Sequence, residues 1–485
     1  MTRVLFWNLN KFGINKVDDP SFNVTPGHGG LQDDEASHMR RGVVARVLDA
    51  ADADIVIFFE VSSGDSAPNM LATNTGGMEG LIYMLGRLRA ADGAAGWRLV
   101  PPLRVGTARR SETVGVFYRG NLAGGDELFF TGPNGWVGGW GGASRAPGLG
   151  VVFNAYPNVG IGNPDMRDFL KMPGVVTRNV PAGAQHNGGL AEDRLAARVN
   201  FLPSPAYPYA LTPAGFVDYG PYRQPYMATF TRADGMGAVQ RELSIFVVHP
   251  PPQGGLPAQY MTFLTYLFDV VAPLGGNETR VIGGDFNQNL LNPATGANAG
   301  VYNLLNNPPN YVYQPLLTSP GAPGGVALPA FKGYFATHIR EDGNLRVNSR
   351  FLWSGGGVNS PYPGYGYIGS NMVADFESID NILVWPLAGG GAYDTTVMNT
   401  ITGVPFNRVV PAPGGAPQGG PLPANLVSQM TDPVNWVIPL AGAPIPPAPN
   451  APLTPNVWDR RNLIGWANYG HLRSTSDHFA IVANI

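Results

Sequence analysis

The sequence predicts an α/β fold that closes as one large domain. Short apolar runs typical of buried strands, such as residues 55–59, alternate with segments whose apolar residues recur at helical spacing, such as residues 43–48. Several of the strand-like runs end at polar or ionisable residues. The first and the last of these runs lie close to the two ends of the chain. Because one fold must then use both ends, we expect a single domain spanning residues 1–485.

The composition predicts a packed core that carries long irregular insertions. The chain of 485 residues has 65 Gly and 46 Pro, and only 13% of its residues are charged. A hydrophobic share of 44% and an aromatic share of 11% argue against a disordered chain. We expect the extra length to lie in insertions at about 122–237, 290–378 and 386–456.

Charge, cysteine content and hydropathy exclude several classes of function. A formal net charge of −3 and a pI near 6.2 give no overall basic field that would attract nucleic acid, although a local basic groove is compatible with these values. The absence of cysteine excludes disulfides, thiolate metal sites and thiol nucleophiles. The first strand begins at about Arg3, so we expect no signal peptide, and no apolar run approaches about 18 residues, so we expect no transmembrane segment. Both a cytoplasmic location and signal-independent export fit, and the oligomeric state is left open.

The chain is organised around VIGGDFNQN, which follows Arg280. Its apolar run is predicted to stop at Gly283 and Gly284, after which Asp285 and Asn287 share a face, since side chains two apart on a strand point the same way. A carboxylate and an amide there suit a hard divalent cation or a phosphate awaiting attack. The competing interpretation is a turn in which Asp and Asn only cap backbone amides.

Further polar residues close strand-like runs elsewhere in the chain. They are Asn8 in VLFWNLN, Glu60 in DIVIFFEV, His249 in SIFVVHP, Asp380 in SIDNILV, and Asp477 with His478 in STSDHFAIV. A carboxylate such as Glu60 at the end of a buried run is costly unless it is paired or binds a metal ion. Taken singly, Asn8 could be a turn residue and His249 a structural histidine.

In this order the motifs resemble those of the endonuclease/exonuclease/phosphatase superfamily. This is the fold of deoxyribonuclease I, AP endonucleases, neutral sphingomyelinases and inositol polyphosphate 5-phosphatases. The resemblance implies a four-layer α/β/β/α sandwich, deoxyribonuclease I-like, with two mainly antiparallel sheets face to face and helices outside. It also implies an active site at the strand ends on one rim.

The resemblance further implies a ligand set for one Mg²⁺ or Mn²⁺, which consists of Asn8, Glu60 and Asp477. Asp285 and Asn287 are expected to position the attacking water and the phosphate, or to join a second metal ion. His478, held by Asp380, would act as general base or phosphate donor.

His249 is expected to protonate the leaving oxygen while Glu112 orients it. Glu112 opens SETVGVFYRG, which resembles a deoxyribonuclease strand whose far end carries an Arg, here Arg119, a candidate substrate-binding residue. Glu112 could equally be an exposed residue at a strand start. Ser62 stands where deoxyribonuclease I-like enzymes place a DNA-binding Arg, which counts against that kind of duplex recognition.

A Thr-His pair precedes the ligand Asp in toxin-type deoxyribonucleases, and Thr337-His338 resembles it. A long stretch of chain separates the pair from Asp380, so His338 is predicted to lie outside the site.

Two histidines favour the deoxyribonuclease, sphingomyelinase and 5-phosphatase branches over AP endonucleases. We therefore predict a Mg²⁺- or Mn²⁺-dependent phosphodiester hydrolase with nucleic acid as its partner. The resemblance of the Glu112–Arg119 strand to a deoxyribonuclease strand favours a nuclease. The first alternative is a phosphodiesterase or phosphatase for lipid headgroups or small phosphoesters, because aromatic, weakly charged insertions suit an apolar or stacking partner. A minor alternative is an inactive relative that serves as a binding module.

Overall fold

The structure is a computed structural model of the whole chain. The residues that it describes are 1–17, 33–63, 75–100, 102, 104–106, 111–130, 135–136, 223, 225–236, 238–265, 267–271, 273–274, 277–290, 299–317, 337–339, 351–353, 365–367, 376–387, 393–398 and 475–485.

Twenty strands and five α-helices are described in these ranges. The strands are β1 (Arg3–Phe12), β2 (Ile55–Val61), β3 (Trp97–Val100), β4 (Arg104–Val105), β5 (Glu112–Arg119), β6 (Glu127–Phe130), β7 (Gly135–Trp136), β8 (Tyr226–Ala233), β9 (Val239–Val248), β10 (Glu278–Asp285), β11 (Asn306–Asn307), β12 (Tyr311–Val312), β13 (Gln314–Pro315), β14 (His338–Ile339), β15 (Phe351–Trp353), β16 (Tyr365–Tyr367), β17 (Phe376–Glu377), β18 (Asp380–Trp385), β19 (Asp394–Val397) and β20 (Ile481–Asn484). The helices are α1 (Ile14–Val17), α2 (Asp33–Ala51), α3 (Thr75–Ala91), α4 (Leu256–Leu264) and α5 (Phe268–Val271).

Two sheets of seven strands form the body of the fold. The first has the order β19-β20-β1-β2-β5-β3, with β4 also on β5, and the second has the order β13-β18-β10-β9-β8-β6, with β7 also on β8. Only the β1–β2 and β9–β10 pairs are parallel in these sheets, as the sequence predicted for two mainly antiparallel sheets. Arg3 pairs with Asn484, so both ends of the chain lie in the first sheet.

Alternation along β1 shows how the layers stack. Phe6 packs towards the second sheet, where a Cβ added at Gly283 of β10 would lie 2.4 Å from its Cζ atom. Leu5 and Trp7 point the other way, into a core with residues of α2 and α3. On the outer face of β10, Arg280 donates to the carbonyl of Val270 in α5. Helices therefore lie outside both sheets, and the predicted four-layer sandwich is confirmed.

Several local predictions differ from the structure. The run after Arg280 does not stop at Gly283, because β10 continues to Asp285. Its Gly284 has a φ of 138°, and a Cβ there would lie 2.2 Å from the carbonyl oxygen of Val248, so a glycine is needed for this close approach. The last strand, β20, is not an edge strand, since β19 pairs along its outer side.

Strands of the main sheets also lie inside segments that were predicted to be insertions. β6 and β8 fall within 122–237 and belong to the second sheet, and β19 falls within 386–456 and belongs to the first. Two short helices, α4 and α5, connect β9 to β10. No helix in the described ranges is long and apolar enough to cross a membrane.

Candidate active site

The parallel strand pairs bring the predicted site residues to one rim of the sandwich. Asn8 is the last residue of the regular β1–β2 ladder, and Glu60 lies near the end of β2. Asp285 ends β10, and His249 directly follows β9. Carboxyl ends of parallel strands share one edge of a sheet, and β1 packs against β10 across the core. Asp380 pairs with Asp285 across the antiparallel β10–β18 ladder, so it arrives at the same rim from the next strand.

His249 is held between three carboxylates. Its Nδ1 atom lies 2.8 Å from Oε2 of Glu112, and its Nε2 atom lies 3.4 Å from Oε1 of Glu60 and 3.5 Å from Oδ2 of Asp285. Burial and the positive charge of Arg223 lower the pKa of His249, but Glu112 and Glu60 outweigh them and the pKa is raised. The hydrogen bond to Glu112 orients the ring so that Nε2 faces the rim.

His478 forms a second pair of the same kind. Its Nδ1 atom lies 2.8 Å from Oδ2 of Asp380, and its Nε2 atom lies 3.7 Å from Oδ2 of Asp285. Burial lowers the pKa of His478, yet the charges of Asp380 and Asp285 raise it to about 10. The ring is therefore an imidazolium at neutral pH. Its backbone is fixed by a hydrogen bond from Nε1 of Trp7 to its carbonyl.

Asp285 and Asn287 come together through a turn and not through strand alternation. β10 ends at Asp285, and Asn287 has a φ of 49°, which folds its amide back to Oδ2 of Asp285 at 3.2 Å. The same Nδ2 atom donates to the carbonyl of Pro250, which ties this turn to the end of β9. Burial and the charge of Asp380 raise the pKa of Asp285 to about 6, although the charges of His478 and His249 lower it.

Glu60 is aimed at the rim by an irregularity in its strand. Its φ is 58°, in the left-handed region, and the register of β2 breaks there against both β1 and β5. Burial raises the pKa of Glu60, but the charges of His249 and His478 overcome this and the pKa is lowered. Glu60 is thus ionised, with 24% of its side chain exposed.

The residues predicted to hold a divalent cation fit one chemically. Glu60 offers carboxylate oxygens, and Asp477 lies close enough to act on the Glu60 charge while keeping 16% of its side chain exposed. In the buried Asn8 amide, Oδ1 accepts the N–H of Asn10 and has a second lone pair, and Nδ2 has no hydrogen-bond partner in the described structure. An orphaned donor beside ionised oxygens fits a ligand with oxygen atoms, such as a phosphate or a hydrated hard cation.

Arg119 is the one predicted site residue that the structure does not bring to this rim. It ends β5, whereas Glu112 begins it, so the length of a strand of 8 residues separates them. Its guanidinium contacts Asp52, at 2.5 Å, and lies over the ring of Trp97. Residues 112–119 form a strand, but the side chain at its far end lies at the opposite end of that strand from the site.

Three residues at the site were not predicted to belong to it. His338 packs its ring 4.5 Å from the ring of His478, centroid to centroid, although it was expected outside. Thr337 accepts the backbone N–H groups of Ile379 and Asp380 through its Oγ1 atom. Arg223 places its Nε atom 3.0 Å from Oε2 of Glu112. The Thr-His motif was a usable signal for the first two, whereas Arg223 carries none.

The aromatic and basic residues of the first insertion, at about 122–237, are candidates for substrate selection on sequence grounds. Among its candidate residues, Trp140, Arg145, Arg178, Arg194 and Arg198 lie outside the described residues, and of Trp136 only the backbone is described.

Neither the models of protein families nor the curated proteins give a match. Among solved structures, the chain is similar to an endonuclease/exonuclease/phosphatase family protein from Leptotrichia buccalis, with 10% identity and a TM-score of 0.34 over 100% of this chain and 99% of that chain. It is similar to the human Nocturnin catalytic domain, with 11% identity and a TM-score of 0.33 over 81% and 84%. A mannosyl-6-phosphatase from Bacteroides thetaiotaomicron has 11% identity and a TM-score of 0.31 over 81% and 87%.

The superfamily named for the Leptotrichia protein is the one that the sequence motifs resemble. Because the TM-scores lie near 0.3, we assign the fold from the two sheets, their strand order and the layers described above.

Proposed function

We propose that this chain is a divalent-metal-dependent phosphodiester hydrolase whose first substrate class is nucleic acid. The observation that carries the proposal is the pair of buried imidazoles, His249 and His478. Each is hydrogen-bonded through Nδ1 to a carboxylate, and each turns Nε2 towards Asp285, at 3.5 Å and 3.7 Å. Such a convergence provides proton donors on either side of one acidic group.

His249 is the proposed general acid. Its raised pKa favours the protonated ring, and Glu112 fixes the ring, so the proton can pass from Nε2 to the leaving oxygen. The exposed fraction of its side chain is 5%, which limits competition from water.

His478 is better suited to hold the phosphate than to accept a proton. With its pKa raised to about 10, its Nε2 carries a proton and donates to a nonbridging oxygen. Asp285, with its pKa raised to about 6, lies between the two Nε2 atoms, where it can orient and deprotonate the attacking water. Asn287 keeps that carboxylate in place from the turn.

Glu60 and Asp477, with the Asn8 amide, are the residues that would hold Mg²⁺ or Mn²⁺. When bound, the cation supplies neutralisation of the charge that builds on the phosphate oxygens. The orphaned Nδ2 of Asn8 can donate to a phosphate oxygen in the same place.

Among nucleic acids, the residues around the site favour single strands over duplexes as the substrate. Ser62 replaces the expected minor-groove Arg, and Arg119 lies at the opposite end of β5 from the site. These two observations also keep lipid headgroups and small phosphoesters as the second candidate class, because neither class needs a row of cations for counterion displacement.

The test is hydrolysis of a single-stranded oligonucleotide, plasmid, sphingomyelin and inositol phosphates by the full chain, with Mg²⁺ or with chelator. We expect cleavage of the oligonucleotide that chelator abolishes. Arg119→Ala is the matched control, which should cleave as the wild type does, whereas His249→Ala should not. Turnover of sphingomyelin or inositol phosphates alone would move the assignment to the second class, and hydrolysis of none of the four would refute it.

A further inference from the structure

His338, Asp477 and His478 form a corner of the rim that the proposed reaction leaves unexplained. Three chain segments meet there: His338 forms a β-bridge to His478, and it pairs with Glu377 in the antiparallel β14–β17 pair. Thr337 locks the junction, since its backbone carbonyl accepts the N–H of Phe479. The corner is therefore built by paired backbone and not by loose loops.

Both imidazoles of the corner are held from behind by a carboxylate. Nδ1 of His338 lies 3.3 Å from Oε2 of Glu377, and Nδ1 of His478 lies 2.8 Å from Oδ2 of Asp380. A histidine whose Nδ1 is held in this way directs the opposite nitrogen, Nε2, at a ligand, which is the usual arrangement behind metal-binding imidazoles.

The two Nε2 atoms face opposite oxygens of one carboxylate. Nε2 of His338 lies 3.9 Å from Oδ2 of Asp477, and Nε2 of His478 lies 3.9 Å from its Oδ1. These separations are too long for hydrogen bonds. Ligand atoms that share one ion at 2.0 to 2.2 Å lie about 3 to 3.5 Å apart, so a small inward movement would close the corner on an ion.

Two other clusters of carboxylates and imidazoles on the rim are less suitable as sites for such an ion. In the group of Glu60, Glu112 and His249, the carboxylate of Glu112 is bound to Nδ1 and contacts Arg223. In the group of Asp285, Asp380 and His478, the carboxylate of Asp380 is bound to Nδ1. A carboxylate on Nδ1 cannot share an ion with Nε2 of the same ring.

The corner is also open to solvent. The side chains of His338 and Asp477 are 15% and 16% exposed, so an ion can enter and keep a water molecule as a further ligand.

We propose that His338, Asp477 and His478 form a binding site for a borderline transition-metal cation such as Zn²⁺. Two imidazole nitrogens and one carboxylate suit Zn²⁺ and Co²⁺, whereas Mg²⁺ prefers oxygen ligands and its own water. This site is distinct in ligand type from the oxygen-ligand site at Glu60, although Asp477 can serve both.

Occupation of the corner inhibits the enzyme, a consequence that rests on the proposed function. Zn²⁺ binds Nε2 of His478 by displacing its proton to solvent, so this nitrogen can no longer donate to the phosphate, and the ion also takes an oxygen of the Asp477 carboxylate. We therefore expect Zn²⁺ to lower Mg²⁺-supported hydrolysis, with His338 as the residue that makes the inhibition strong.

The binding test is calorimetric titration of the full chain with Zn²⁺, with excess Mg²⁺ present to fill the oxygen-ligand site. We expect one Zn²⁺ per chain. His338→Ala should weaken its affinity by more than the roughly 10- to 100-fold expected for Glu377→Gln, which removes only the carboxylate behind the ring. His38→Ala, which removes a histidine that is not one of the proposed ligands, is the matched control and should bind Zn²⁺ as the wild type does.

Wild-type Zn²⁺ affinity in both His338→Ala and Glu377→Gln would overturn the proposal. If His338→Ala fails to fold by circular dichroism, Glu377→Gln alone decides the question, because it keeps the imidazole. The titration contains no substrate, so its outcome is separate from the hydrolysis assay. A chain that binds Zn²⁺ at the corner but hydrolyses none of the four phosphoesters would refute the proposed function and leave the metal site standing.

Discussion

The His249–Glu112 and His478–Asp380 pairs share a hydrogen bond of 2.8 Å but differ in what lies behind the carboxylate. Arg223 contacts Glu112 at 3.0 Å, so the negative charge that His249 meets is partly neutralised. Asp380 instead lies in one group with Asp285 and His478, where the carboxylate charges reinforce one another.

This difference separates the roles of the two rings. Burial and Arg223 both lower the pKa of His249, and the charges of Glu112 and Glu60 raise it against them. Against burial alone, Asp380 and Asp285 raise the pKa of His478 to about 10. An acid that must release its proton works best near the ambient pH, whereas a fixed charge need never release it. We therefore expect one hydrogen-bond pattern to provide a proton donor at His249 and a cation that keeps its proton through the reaction at His478.

The largest effects should come from removing the rings themselves. His249→Ala and His478→Ala should each lower kcat by roughly 10² to 10⁴ on a substrate with a poor leaving group. On a p-nitrophenyl phosphodiester, whose leaving group needs no proton, only His249→Ala should recover towards wild-type kcat. Steady-state kinetics on both substrates checks this, with circular dichroism as the control for folding. Equal recovery in both variants would mean that the two rings do not have different roles.

Removing the carboxylates should have a smaller effect on rate and a diagnostic effect on pH dependence. Glu112→Gln removes an influence that raises the pKa of His249, so the acid form is lost at lower pH and the alkaline limb of the kcat profile should move to lower pH. Asp380→Asn should bring a new alkaline limb into range, because His478 then loses its proton below its present value of about 10. In both variants kcat at the optimum should fall by less than the roughly 10² to 10⁴ of the alanine variants, since each ring remains.

Profiles of kcat against pH for the wild type and both variants check this prediction. An alkaline limb that stays in place in Glu112→Gln would show that His249 is not the titrating acid.

Support from Thr337 belongs to only one of the pairs. Its Oγ1 accepts the N–H groups of Ile379 and Asp380, which fixes the carboxylate of the His478 pair. Thr337→Val keeps the shape but leaves those two buried donors unpaired, so we expect a loss of about 1 to 3 kcal/mol in the free energy of unfolding. Chemical denaturation measures it. Thr265→Val at the end of α4 is the control. The Thr265 hydroxyl donates to the carbonyl of Thr262, so its removal should lower the free energy of unfolding by less.

The sequence was sufficient for residues whose position depends on a long apolar strand. Glu60 and His249 follow continuous runs that become β2 and β9, and strand direction alone then brings them to the same rim. The same reasoning failed for Arg119, because a motif match says that a residue is on a strand but not which end of it reaches the site.

What could not be predicted depends on partners that are distant in the sequence. β6 has only 4 residues, and both β6 and β8 lie in a stretch rich in turn formers. Each is held by a neighbouring strand, β8 by β9 and β6 by β8. His338 was set aside for its distance along the chain from Asp380. The β14–β17 pairing places His338 beside Glu377, three residues before Asp380. Such pairing is decided by tertiary contacts and not by the local sequence pattern.

The smallest effect should come from Arg223, whose only proposed role is to moderate the charge of Glu112. Arg223→Gln removes an influence that lowers the pKa of His249, so the pKa should rise and the alkaline limb should move to higher pH, opposite to Glu112→Gln. The acid and its carboxylate both remain, so kcat at the optimum should fall by less than about tenfold. Arg223→Lys, which keeps the charge, should leave the limb close to its wild-type position. A limb that moves to lower pH in Arg223→Gln would mean that the guanidinium holds Glu112 in place instead of neutralising it, and the two pairs would then differ in geometry and not in charge.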